Sequence, residues 1–335
     1  MNTNGYQIVN RLVWADSLKG WLILLVIMGH CIASTIGNDA ANTNYWWCLI
    51  YSFHMPAFIA ISGYLSYRGT NHLNVRGGVS RRFQQLMVPF LVWSVIKYAV
   101  NGKLPYCYHS ILQPTNTFWF LWALFFIVVL FSIFDWLSNK IKIRQEVIMS
   151  LACICCAGTM VVFKDIRILG IQYILYYFIF YCLGYYINKY QLLTNKTWLI
   201  LLLLFVWFVM GSFWRPHELP KYISLTGELA TMCRFIYKFA VALVAISAIF
   251  SLAPLTLNRK NRLNEIICQL GSISLGIYTF HLTFVGKICE ILRLVCRESI
   301  FVVWISFILI TVLSYFVVIL IGKYKLPARC LLGKL

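Results

Sequence analysis

The stretch Arg11–Ser34, RLVWADSLKGWLILLVIMGHCIAS, decides how the rest of this chain is read. It opens on Arg11, Asp16 and Lys19, turns apolar at Trp21, and then holds a single ionisable side chain, His30. A helix rises ~1.5 Å per residue, so His30 stands roughly 16 Å beyond Lys19, about half the depth of a bilayer core. An imidazole at that depth faces the protein interior or a wet cavity, and marks a functional position unless it is merely hydrogen-bonded between packed helices.

The whole chain has the same character. Of its 335 residues 61% are hydrophobic and only 12% charged, with a mean hydropathy of +0.77. Soluble domains carry roughly 25% charged residues, so the composition implies a polytopic membrane protein. The net charge of +19 does not call for nucleic acid, because the basic residues sit mostly in short loops between apolar runs. The twelve cysteines, among them Cys153, Cys155, Cys156, Cys182, Cys233 and Cys268, fall in or beside those runs and read as small buried hydrophobes. No CxxC pairs with a second one, and no metal site is expected.

Ten apolar segments of spanning length can be marked: 18–36, 45–66, 83–101, 118–137, 146–163, 169–188, 197–213, 231–252, 267–288 and 299–322. They predict an all-α membrane bundle of about ten helices, forming a single integral-membrane domain over 1–335. The first helix is expected to be retained rather than cleaved as a signal peptide, since its polar lead-in is long and contains Asp16. With the N-terminus cytoplasmic, basic residues on inner loops outnumber those on outer loops about two to one, which puts both termini in the cytoplasm. No internal repeat or soluble domain stands out.

Two further stretches carry polar chemistry. YSFHMPAFIAISGYL (Tyr51–Leu65) places a second intramembrane histidine, His54, near the same depth as His30. Pro56 follows it and predicts a kink that frees a backbone carbonyl, and Ser62 and Gly63 permit close packing or local unwinding. VRGGVSRRFQQLMVPFLVW (Val75–Trp93) sets Arg76, Arg81 and Arg82 just before an apolar helix containing Pro89. Arginine suits bidentate phosphate recognition, and the same cluster also serves as an ordinary positive-inside anchor.

Together these stretches resemble the integral-membrane acyltransferases of the acyltransferase family 3 type. Lys19 and His30 match the family's basic residue, ten residues, then histidine. FHMPAFIAISGYL resembles its second-span signature, TFWFLWALF (117–125) its fourth-span Trp-Phe-Leu segment, and SISLGIYTFHL (272–282) its late Tyr-to-His segment, with His281 toward the outer end of the ninth span. One position departs. Of two arginines three apart before the third-span proline, Arg82 fits the first and Gln85 replaces the second.

The resemblance implies transfer of an acyl group, acetyl above all, from cytoplasmic acetyl-CoA to a hydroxyl of a carbohydrate or lipid-linked sugar, in a bacterial cytoplasmic membrane. The acyl-CoA is a donor substrate rather than a resident cofactor. The candidate catalytic residues are His30 as general base, His54 to orient it or stabilise the oxyanion, and Asp16 to order the cytoplasmic end by pairing with a basic neighbour. Lys19, Arg76, Arg81 and Arg82 would hold donor phosphates. Glu228 and His281 are candidate acceptor contacts. Arg234, Lys97 and Lys238 lie in outer halves or edges of spans, where they either line an acceptor entrance or snorkel to the interface. A transporter with midplane ionisable groups is the main rival, and a non-catalytic relative of such an enzyme the second.

Overall fold

The structure, a computed structural model, describes residues 12–67, 75–162, 168–220, 223, 225–258, 261–296 and 298–334. Among them there are helices and no strands. The principal helices are α1 (Val13–Ile36), α2 (Tyr45–Tyr51), α3 (His54–Tyr64), α4 (Val75–Arg82), α5 (Val88–Val100), α6 (Trp119–Ile141) and α7 (Gln145–Val162). They continue with α8 (Ile171–Tyr190), α9 (Thr197–Ser212), α10 (Gly227–Thr256), α11 (Arg262–Ser272), α12 (Ser274–Val295), α13 (Ser299–Gly322) and α14 (Lys325–Leu332).

Among the described residues seven helical runs are long and apolar enough to cross a membrane, and two shorter apolar helices, Gln145–Met160 and Thr197–Ser212, accompany them. α13 shows why they face lipid. Val302, Ser306, Ile310, Ser314 and Val318 form a buried stripe at every fourth residue, while Ile300, Phe301, Trp304, Ile308 and Phe316 are exposed. A helix apolar all round with one narrow packed stripe needs a nonpolar solvent on its other faces. The protein is an integral membrane protein.

α1 is the centre of the bundle and packs on α3, α11, α12 and α13. Two crossings bring backbones into contact. A Cβ at Gly20 would sit 2.0 Å from the Ile267 carbonyl oxygen, and one at Gly271 1.7 Å from that of Asp16, so α1 and α11 touch through a reciprocal glycine pair. Gly63 and Gly184 do the same for α3 and α8, at 2.0 Å from Tyr181 O and 1.8 Å from Ala60 O. Small residues at such crossings are how helices gain contact in hydrocarbon.

Two expected spans are broken. The segment 45–66 is not one helix with a proline kink. α2 ends at Tyr51, Phe53 takes φ −143° and ψ −27°, and α3 starts at His54. Pro56 therefore falls in the first turn of a new helix, where its missing N–H would have had no intrahelical partner. The expected ninth span, 267–288, divides at Ile273 into amphipathic α11 and spanning α12. Its crossing helix is Ser274–Val295, seven residues later than expected at both ends.

Replacing Gly63 or Gly271 with valine should cost about 3 kcal/mol or more, because backbone has to move. Gly286→Ala, with open space around it, should raise the thermal midpoint slightly by favouring helix. Thermal unfolding in detergent checks both. Valine at either crossing without loss of midpoint would contradict the contacts.

Candidate active site

His30, His54 and His281 come from three helices and converge. The rings of His30 and His281 are 5.4 Å apart between centroids, tilted by 50°. The Tyr51 ring lies 4.6 Å from that of His54 and 6.4 Å from that of His30. Gly29 makes this possible, since a Cβ there would meet the Tyr51 ring at 2.6 Å. On the other side Tyr278 stands 5.8 Å from His281.

Main-chain carbonyls settle the roles of the ring nitrogens. His54 Nδ1 lies 2.7 Å from the carbonyl oxygen of Ile50, and His281 Nδ1 2.8 Å from that of Ile277. A carbonyl only accepts, so Nδ1–H donates in each ring, and in the neutral imidazole Nε2 carries the lone pair. The Nε2 of His281 is buried without a hydrogen-bond partner among the described residues. An imidazolium there would bury an unpaired charge. His30 keeps some accessible surface although Ile27 and Cys31 beside it are fully buried.

Two cavities flank this cluster. The first, about 200 Å³, lies toward the side from which α1 starts and is lined by Lys19, Phe58, Arg82, Phe120, Ser274 and Tyr278 among others. Its basic rim is ordered by neighbours: Lys19 Nζ is 2.6 Å from Asp16 Oδ1, and Arg82 Nη1 donates to Gln85 Oε1 at 3.2 Å. Gln85, the residue that departs from the family pattern, thus orients the arginine that remains. Pro89 offers no N–H to the Gln85 carbonyl, the helix widens there into a π turn over Phe83–Met87, and Gly333 packs onto that carbonyl with φ 62°.

The second cavity, about 420 Å³, opens on the opposite side and has Tyr51 and Pro56 in its wall, with Tyr173, Tyr177, Trp214, Arg234 and Lys238. The partition between the two is thin. In the first turn of α3, Met55 lines the first cavity and Pro56 the second. At the head of α6, Phe120 lines the first while Trp119 stacks on Tyr173 and Tyr177 of the second, at 4.5 and 5.3 Å.

Other sequence-based expectations fare unevenly. Asp16 pairs with Lys19 and lies fourteen residues before His30 on α1, roughly 21 Å away, so it does not touch that ring. His281 is not at the outer end of its span; α12 begins at Ser274, so His281 falls in its first half beside His30. Arg81 is exposed and does not line the cavity that Arg82 lines. Arg11 and the side chain of Arg76 lie outside the described residues. Glu228 is exposed in the first turn of α10 and outside the cavity wall, which uses Thr231, Arg234, Phe235 and Lys238 of that helix.

Lys97 is half-buried. It donates to Asn116 O at 3.2 Å, sits 5.4 Å from the Phe118 ring centroid, and is an electrostatic neighbour of both His30 and His281. Tyr51 and Tyr278 stand in the quoted motifs but were not among the candidate site residues. The signal was present, because Tyr51-Ser-Phe-His54 and Tyr278-Thr-Phe-His281 are near copies of one another.

A family profile described as an acyltransferase domain matches residues 12–323. The chain belongs to that family. The nodulation protein NolL of Mesorhizobium japonicum is 31% identical to it over 186 residues, 52% of this chain and 48% of that protein. NolL of Sinorhizobium fredii is 30% identical over 194 residues, with the same shares of the two chains. The chain spans about half the length of the curated relatives it matches. No solved structure matches it.

Nitrogen-15 NMR of histidine-labelled protein, assigned by single histidine-to-asparagine variants, should show Nδ1–H with unprotonated Nε2 for His54 and His281 at neutral pH. An Nε2–H tautomer at either would contradict the hydrogen bonds to Ile50 and Ile277.

Proposed function

We propose that this protein moves an acyl group, acetyl in the first instance, from cytoplasmic acyl-CoA to a hydroxyl of a cell-surface carbohydrate or its lipid-linked precursor, in a bacterial cytoplasmic membrane. The observation that carries the reading is the convergence of His30, His54 and His281 between two cavities on opposite sides, one reaching Tyr278 beside His281 and the other Tyr51 beside His54 and His30. Family membership supplies the reaction class.

In this reading the Lys19 side faces the cytoplasm. A cavity of about 200 Å³ takes the acyl-pantetheine arm and leaves the nucleotide at the mouth, where Lys19 and Arg82 meet its phosphates. Asp16 and Gln85 hold those two cations in place. The acceptor hydroxyl arrives from the other cavity, past Tyr51.

His30 takes the hydroxyl proton as the oxygen attacks the thioester carbonyl. The carbon–sulfur bond breaks as the tetrahedral adduct collapses, and the proton passes to the departing thiolate, so coenzyme A leaves as the free thiol. His281 is a positioning residue. Its Nε2, unpartnered in the structure, would accept from a His30 ring N–H once substrates are bound, which leaves the other His30 nitrogen as the base. His54 and Tyr51 fix the opposite face of the ring, and the Lys97 charge steadies the oxyanion through space.

Purified protein in nanodiscs should consume radiolabelled acetyl-CoA and, with a suitable glycan, transfer the label. His30→Ala should lose at least ~100-fold in that rate with the thermal midpoint retained. Equal rates in variant and wild type would remove His30 from the chemistry, and no turnover of acetyl-CoA or succinyl-CoA would favour a transporter.

A further inference from the structure

The larger cavity is built for a particular kind of guest. Its wall combines a shelf of aromatic rings with two cations, and no aspartate or glutamate is among its described lining residues. Tyr173 and Tyr177 stack with Trp119 in near-parallel planes, at interplanar angles of 24° and 23°. Tyr51, itself stacked on Trp47 at 3.7 Å, closes the end nearest the histidines.

The cations are Arg234 and Lys238, one turn apart on α10. Arg234 Nη1 donates to the His217 carbonyl oxygen at 2.7 Å, and Lys238 Nζ lies 5.6 Å from the Trp214 ring centroid. Neither forms an ion pair among the described residues. Like charges four apart on a helix repel, and a partly buried ammonium is desolvated without the compensation an anion would give. Both residues also stand on the outer side in the orientation proposed above, where the charge bias of membrane proteins works against them. Lys19 and Lys189, by contrast, are ion-paired, with Asp16 and Glu146.

The geometry points to an anionic saccharide as the acceptor: a sugar whose carbon–hydrogen face lies on the aromatic shelf and whose carboxylate or phosphate bridges Arg234 and Lys238. This rests on the acyltransferase reading for the word acceptor, and on the cavity alone for the charge. Apolar sugar faces pack on aromatic rings, while guanidinium and ammonium groups take up carboxylate and phosphate oxygens. With the charge held on α10, the ring is directed toward Tyr51 and Pro56, and a hydroxyl at its far edge meets the histidines. The acid group therefore selects the substrate and sets which hydroxyl is presented.

The test uses the full chain in nanodiscs and two matched pairs of probes: oligogalacturonate with its carboxyl-reduced neutral form, and glucose 1-phosphate with glucose. Calorimetric titration should show at least one charged probe binding tighter than its neutral partner by roughly tenfold or more, the range for a charge-assisted contact. The preference should weaken with salt, vanish in the R234Q/K238Q double variant and persist in K238R. A preference confined to the galacturonate pair identifies a carboxylate sugar, and one confined to the phosphate pair a sugar phosphate. Equal affinity within both pairs, no binding by any probe, or a preference that survives R234Q/K238Q would overturn the inference. Acetyl-CoA turnover by wild type is measured separately on the same preparation. Its absence would undo the acyltransferase reading and leave the charge preference standing, whereas turnover with no charge preference would undo the charge preference alone.

Discussion

In hydrocarbon nothing drives helices together except the contact they make, because lipid tails are as apolar as leucine. The bundle rests on that constraint. At the α1–α11 and α3–α8 crossings the helices approach until one backbone touches the other, and only glycine leaves the room. These two crossings clamp the central helix at its basic end and fix α3 against the opposite wall. Gly29 repeats the device on a smaller scale by admitting the Tyr51 ring. The histidine cluster is what those approaches converge on.

The second constraint is that every backbone polar group in the membrane needs a partner. The chain breaks between α2 and α3, and the carbonyl of Ile50, which accepts from the Phe53 N–H at 3.3 Å, is also met by the ring of His54 at 2.7 Å. The imidazole is thereby held by the main chain, with one nitrogen committed and one left. His281 does the same on an unbroken stretch of α12. One hydrogen bond to the main chain thus fixes each ring.

Much of this was readable from residues alone. The last span was expected at 299–322 and is found at Ser299–Gly322, because α13 is apolar from end to end and bounded by Glu298 and Lys323. The depth of His30 follows from its distance to Lys19 on an uninterrupted helix. The breaks were not readable. Ser52 and Phe53 carry no glycine or proline, and the one nearby signal, Pro56, suggested a kink in a continuous helix. In the ninth segment the apolar run crosses Ile273 without punctuation, while Lys287, Glu290 and Arg293 near the end of α12 made the span look finished early. That error carried His281 outward, away from His30. Lys97 and Lys238 were ambiguous for a related reason: a lysine that snorkels and a lysine that faces a cavity look the same in one dimension.

The claim on which the rest hangs is that one buried histidine cluster joins a donor cavity on one side of the membrane to an acceptor cavity on the other. Sealed vesicles containing the protein in a single known orientation test it directly, with radiolabelled acetyl-CoA confined to one side and an impermeant glycan to the other. Label should reach the glycan only when acetyl-CoA is on the Lys19–Arg82 face and the glycan on the face of Arg234 and Lys238. Transfer that requires both on the same face, or that runs equally well in either arrangement, would contradict a two-sided site.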